Sequence, residues 1–157
     1  MLDSAKIIEF LVRENKSIAI AESLTGGLLC YEFAKVAGAS GAFRGGIICY
    51  QNKIKIKVLG IDERILAQKS AYSVEVVDLM LERICAVMDS DFAIATSGIA
   101  GPNGGSVEMP VGSVFFGVKK RGEKSVIKKE IFSGTRANIQ KFSVDSAIKL
   151  FKASFMK

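Results

Sequence analysis

Two short apolar runs each pass straight into a glycine-rich turn. Residues 17–21 (SIAIA) lead into ESLTGG, and residues 92–96 (FAIAT) lead into SGIAGPNGG. Apolar runs without a clean polar alternation are the mark of strands buried on both faces, as in a sheet covered by helices on either side. In open α/β sheets, ligands bind beyond the carboxyl ends of such strands. This pattern points to the α/β class and makes those two turns candidate ligand sites, a pure turn role being the alternative for either.

The remaining segments fit the same class. Residues 3–15 read as a helix with Ile7, Ile8, Leu11 and Val12 on one face, and residues 26–36 as a second with Leu29, Cys30, Phe33 and Val36 inward, Ser23 and Thr25 being possible caps. GASG, at 38–41, is a loop. Residues 43–50 (FRGGIICY) read as a strand, followed by a short basic helix from Asn52, its possible cap, to Leu59, stopped by Gly60. Residues 62–68 form one or two helical turns. Ser73 caps the clearest helix, with Val74, Val77, Leu81, Ile84 or Cys85, and Met88 as its apolar stripe and Glu75, Asp78 and Glu82 outward. Residues 111–118 and 125–132 flank the turn KKRGEK as a hairpin. Thr135 caps a last helix to Phe155, with Ile139, Phe142, Ile148, Phe151 and Phe155 near one face. The expectation is one three-layer α/β/α domain over residues 1–157 with a mixed, mostly parallel sheet.

A chain of 157 residues, 49% hydrophobic, can bury one sizeable core. Its formal charge of +6 is concentrated late: from Lys119 onward there are eleven Lys or Arg against Glu123, Glu130 and Asp145. Such a tail can attract nucleic acid or phosphate, but a solvated basic face is the plainer reading. The aromatic residues of that segment fall on the apolar helix face, which argues against a nucleic-acid partner. No apolar run reaches about 18 residues and the start does not read as a signal peptide, so a cytoplasmic protein without membrane attachment is expected. Cys30, Cys49 and Cys85 are odd in number and sit in apolar surroundings, which suits reduced core thiols.

The chain has no histidine. A Ser-His-Asp triad, a Cys-His dyad and the common zinc sites are therefore excluded within one chain, and acid–base work falls to Lys, Tyr, Asp or Glu. Ser23 stands on the first glycine turn. Its hydroxyl is as well suited to capping a helix as to attacking a substrate. Both turns let backbone N–H groups approach a ligand, yet neither is a P-loop or a dinucleotide fingerprint. Tyr50 to Lys55 (YQNKIK) adds a phenol and lysines at another strand end. A lysine becomes a general base when burial or neighbouring cations lower its pKa by about 3 units. Spacing alone reads Lys53, Lys55 and Lys57 as a basic helix surface. The pattern S-x-x-K occurs at Ser125, Ser146 and Ser154, without S-D-N or K-T-G, and is discarded.

Taken together, AESLTGG, GGIICYQNKIKIKVLGI, SVEVV, TSGIAGPNGGSVEMPVGSVFFGV and FSGTRANIQ resemble the carboxy-terminal domain of the competence/damage-inducible protein CinA, over about residues 5–155. Stand-alone members are nicotinamide-nucleotide amidases. The larger amino-terminal domain of full-length CinA proteins does not occur in this sequence. The resemblance implies hydrolysis of the carboxamide of nicotinamide mononucleotide to nicotinate mononucleotide and ammonia, with no metal or other cofactor, a nucleotide as the small-molecule partner, and a homo-oligomer. It implies Ser23 as nucleophile, Tyr50 and Lys55 as its assistants, and Lys55 accepting the serine proton directly or through Tyr50. Backbone N–H groups at Thr25, Gly26 and Gly27 are then candidates for the oxyanion. The turn carrying Gly98, Gly101, Gly104 and Gly105, or Arg136, is the candidate phosphate site. The alternative is a catalytically silent nucleotide-binding or regulatory domain of the same fold.

This sequence departs from the family pattern at four places. Met109 stands where a lysine is frequent before P-V-G, Gln140 where an arginine is common, Tyr72 where a small apolar residue is usual, and Ser97 takes the position before Gly98.

Overall fold

Strands β1 (Ile18–Glu22) and β3 (Phe92–Gly98) are buried along their whole lengths, and their alternation is one of size rather than polarity. Ile18, Ile20, Phe92 and Ile94 face one side of the sheet; Ala19, Ala21, Ala93 and Ala95 face the other. In this computed structural model, which describes residues 3–157, the bulky side packs on helices α1 (Asp3–Arg13), α2 (Leu28–Ala34) and α6 (Arg136–Phe155). The alanine side packs on α3 (Asn52–Lys57), α4 (Glu63–Lys69) and α5 (Val74–Met88). Small residues on one face let that helical layer lie close to the backbone. The two clusters are the two cores of a three-layer α/β/α domain. Met1 and Leu2 of the expected domain lie outside the described residues.

The sheet order is β2-β1-β3-β4-β5, with β2 at Phe43–Ile48, β4 at Ser113–Lys120 and β5 at Val126–Ile131. Strands β2, β1 and β3 pair in parallel, and β4 pairs antiparallel with both β3 and β5. Four of the five strands therefore point the same way. The connection from β1 to β2 runs over one face through α2, while that from β2 to β3 runs over the other through α5. The order reverses beside β1, which opens a crevice at the carboxyl ends of β1 and β3.

Several local expectations are corrected. Helix α2 is capped by neither Ser23 nor Thr25; its N-cap is Gly27 in the left-handed region, with no side-chain cap. Buried Glu22 accepts from the N–H of Leu29 and of Cys30, at 2.8 and 3.0 Å, and so satisfies the free donors of the first turn. Helix α3 is preceded by Gln51 rather than capped by Asn52, and β2 ends at Ile48 rather than Tyr50. The loop at 38–41 holds a short 3-10 turn, Ala39–Gly41. Val12 and Val74, expected inward, are exposed, since each lies at the margin of its helix's apolar stripe. Phe142 is 39% exposed and leans on Phe132, with ring centroids 5.9 Å apart. The expected caps Ser73 and Thr135 are found, Thr135 in a reciprocal capping box with Asn138. Among the described residues, no helix is long and apolar enough to cross a membrane.

Candidate functional site

Ser23 is the first residue beyond β1. Its N–H donates to the Thr96 carbonyl at 3.0 Å, so the sheet ladder extends to the serine itself. The chain then turns sharply, with Gly26 and Gly27 both at positive φ (57° and 106°), which favours glycine. At Gly27 a Cβ would also meet the Ile48 side chain at 3.0 Å. The serine is 5% exposed.

Lys55 arrives from α3. Lys53 and Lys57 face solvent, whereas Lys55 is 1% exposed. Half-buried Ile54 and Ile56 seat the helix on the alanine-side core and turn the lysine inward. Its Nζ lies 2.8 Å from the Cys49 carbonyl, 3.1 Å from Ser23 Oγ and 3.5 Å from the Tyr50 carbonyl. Ser23 Oγ is also 3.5 Å from the Tyr50 carbonyl. Burial pushes the Lys55 pKa below its ordinary 10.5, with the nearby Cys49 thiol acting in the opposite sense. The solvated-surface reading of the three lysines is thus correct for two of them and incorrect for Lys55.

Tyr50 is half exposed, and its phenol accepts from the Arg136 guanidinium rather than touching Lys55 or Ser23. Of the two expected routes between serine and lysine, direct or through the phenol, the contacts present are those of the direct one. What Tyr50 brings to Lys55 and Ser23 is its main-chain carbonyl. Arg136 also donates to the Gly101 carbonyl at 2.7 Å.

A cleft of about 190 Å³ opens beside Ser23. Tyr50, Gly98, Gly101, Gly104 and Arg136 line it, together with Leu24, Tyr72, Ile99, Ala100 and Asn103. Gly105 is not among these residues. It packs against the backbone of Val111, where a Cβ would lie 2.7 Å from the nitrogen, so that glycine serves loop packing. Gly98 serves both roles, since a Cβ there would lie 2.5 Å from the Ser113 carbonyl oxygen. Thr25 faces inward and shares a 2.8 Å hydrogen bond with Thr96, both hydroxyls being buried. Of the three backbone donors expected at the turn, the Gly26 N–H is consumed by the Ser23 carbonyl at 3.1 Å. Those of Thr25 and Gly27 make no hydrogen bond among the described residues.

The departures from the family pattern also find places. The Ser97 hydroxyl donates to the Ala71 carbonyl at 2.7 Å, tying the end of β3 to the loop that carries Tyr72. Gln140 Nε2 donates to the Leu24 carbonyl at 2.8 Å. Tyr72 and Gln140 stand out in the sequence only as departures from the family pattern, since nothing in their local sequence distinguishes them from surface positions. A wider groove, about 890 Å³, lies between α5 and the β4–β5 hairpin. Its serine, Ser125, donates to Asp78 at 2.5 Å, whereas Ser23 lines the smaller cleft.

The CinA C-terminal domain model matches residues 3–155. A CinA-like protein of Thermosipho melanesiensis is 38% identical over 154 residues, covering 96% of this chain and 38% of that protein. A CinA-like protein of Prochlorococcus marinus is 39% identical over 153 residues, covering 96% of this chain and 35% of that one. The chain thus spans little more than a third of the length of these curated relatives. The crystal structure of the competence damage-inducible protein A (ComA) from Klebsiella pneumoniae superposes with a TM-score of 0.92 at 29% identity, covering 99% of this chain and 97% of that one.

Proposed function

The chain belongs to the CinA C-terminal domain family, and from that premise we propose that it is a serine amidohydrolase acting on the carboxamide of nicotinamide mononucleotide. The observation that carries the reading is the 3.1 Å contact between Lys55 Nζ and Ser23 Oγ, buried in a chain that has no histidine.

The three groups around Lys55 Nζ accommodate both protonation states: an ammonium donates to all three, Ser23 Oγ among them, and a neutral amine fits as well. An uncharged lysine has two N–H bonds and one lone pair. The Cys49 and Tyr50 carbonyls take the two donors, which leaves the lone pair for the serine O–H. Burial, with no carboxylate among the groups that shift its pKa, moves Lys55 toward the neutral state.

Ser23 Oγ attacks the amide carbon as its proton passes to Lys55 Nζ. The carbonyl oxygen takes up negative charge, and the free N–H groups of Thr25 and Gly27 are its candidate donors. One such donor is typically worth about 3 kcal/mol of barrier. As the C–N bond breaks, Lys55 returns the proton to the departing nitrogen and ammonia leaves. Water then gives a proton to Lys55 and its oxygen attacks the ester. Ser23 Oγ departs with the proton from Lys55, and the carboxylic acid so formed gives its proton to solvent and leaves as the carboxylate.

The lining of the cleft, rather than its volume of about 190 Å³, suits the aromatic amide end of a nucleotide. Tyr50 and Tyr72 offer aromatic surface, and the exposed guanidinium of Arg136 offers a partner for phosphate beside the glycines of the Gly98–Gly104 turn. Incubation with nicotinamide mononucleotide should release ammonia and nicotinate mononucleotide in equal amounts. Binding of the nucleotide with no turnover would favour the silent nucleotide-binding domain instead.

A further inference from the structure

Helix α6 presents Arg136 and Gln140 one turn apart, on the same flank. Its position is fixed by the Thr135–Asn138 box at its start and by buried Ile139, Ser143 and Val144. From this rigid base, Gln140 reaches across 116 residues of sequence to the Leu24 carbonyl, adjacent to the nucleophile.

The Leu24 carbonyl belongs to the peptide group that carries the Thr25 N–H. That peptide is trans, the cis bond of the described residues being Gly101–Pro102. In a trans peptide the C=O and the N–H point in opposite directions. A donor held on the oxygen therefore dictates where the N–H points. Accepting that bond also polarises the amide and makes its N–H a stronger donor. The peptide is secured on its other side by the buried Thr25–Thr96 hydroxyl pair. Of the N–H groups that follow Ser23, that of Gly26 is already engaged, while those of Leu24, Thr25 and Gly27 make no hydrogen bond among the described residues; of these three, the Thr25 group is the one that shares its peptide with the Leu24 carbonyl.

We propose that Gln140 is a positioning residue, which through the Leu24 carbonyl aims the Thr25 N–H at the oxyanion formed when Ser23 attacks. The inference rests on the amidohydrolase reading above. Gln140 itself touches no reacting atom. Its worth lies in holding one peptide plane, which is why a side chain far along the sequence bears on the turn.

The test uses Gln140→Met, which keeps the length and removes the donor, and Gln140→Arg, which supplies a donor again. Gln140→Glu, without a donor when ionised, replaces Gln140→Met should that variant fail to fold. With nicotinamide mononucleotide, Gln140→Met should lower kcat about 10-fold, less than the roughly 10²–10³ lost with a donor itself, while KM stays within about twofold. Gln140→Arg should recover most of the loss. Wild-type kcat in Gln140→Met, a loss confined to KM, or an Arg variant no better than Met would overturn the proposal. A second arm measures the rate at which a fluorophosphonate labels Ser23, since its phosphoryl oxygen occupies the oxyanion position. Labelling in the wild type without amide turnover would reject the substrate reading. Slower labelling of Gln140→Met would then still support the positioning role, and equal labelling would reject it. A wild type that neither labels nor hydrolyses would reject both.

Discussion

Lys55 Nζ stands 3.1 Å from Ser23 Oγ, the two residues being 32 positions apart and both buried. They meet because α3 begins just beyond the end of β2, the parallel neighbour of the strand that delivers the serine. An amine so placed is a base only when neutral, and burial is what favours its neutral form.

The first prediction concerns pH. The pKa of Lys55 lies below 10.5 in the folded chain, so kcat/KM should rise with pH through a single ionisation below that value and then level off. Lys55→Arg keeps the positive charge and cannot act as a base, so it should lose about 10²–10⁴ in kcat together with the rising limb. The linkage has a matching sign. Between the folded pKa and 10.5 the unfolded chain binds more protons than the folded one, so this group makes stability rise with pH across that window. Chemical denaturation at several pH values should show that slope flattened in Lys55→Met.

The second separates the two parts of Tyr50. Its carbonyl faces Lys55 and Ser23, while its phenol faces Arg136. Tyr50→Phe should therefore raise KM and lower kcat by less than about 10-fold, well short of the Lys55→Arg loss. Equal losses in the two variants, in steady-state kinetics, would restore the phenol to the proton path.

A third concerns Glu22, whose carboxyl group is fully buried and takes two backbone N–H bonds from α2. Glu22→Gln replaces one acceptor oxygen with an amide NH₂ that faces a donor. Urea unfolding should show a loss of about 1–3 kcal/mol.

The fourth is a double-mutant cycle on the buried hydroxyls of Thr25 and Thr96. Either single Thr→Val change strands the other hydroxyl and should cost about 1–3 kcal/mol. The double change strands neither, and should cost less than the sum of the singles.

Most of the fold was legible because its signals are local. The strand–turn junctions expected after Ala21 and Thr96, which lie one and two residues further on at Glu22 and Gly98, the hairpin, and the caps Ser73 and Thr135 depend on residues within a few positions of one another. Ser23 and Lys55 were legible as chemistry, helped by the missing histidine and by the resemblance, but their contact depends on how two strand ends pair. The capping of α2 was misread because Ser23 and Thr25 have better uses: one faces the lysine and the other faces Thr96. Glu22 took over the cap from the end of a strand, a geometry without a local sequence signature. Gln140 and Tyr72 reach the site only through tertiary packing, and Gly105 shares a loop with the lining glycines while serving another purpose.

In the proposed reaction Ser23 becomes covalently acylated with Lys55 as its base. Rapid acid quench of the enzyme with nicotinamide mononucleotide, followed by peptide mass spectrometry, examines that step directly. An acyl adduct is expected on the peptide containing Ser23, absent in Ser23→Ala and much diminished in Lys55→Arg. Ammonia release at the wild-type rate by Ser23→Ala, with no adduct on any peptide, would contradict that reaction.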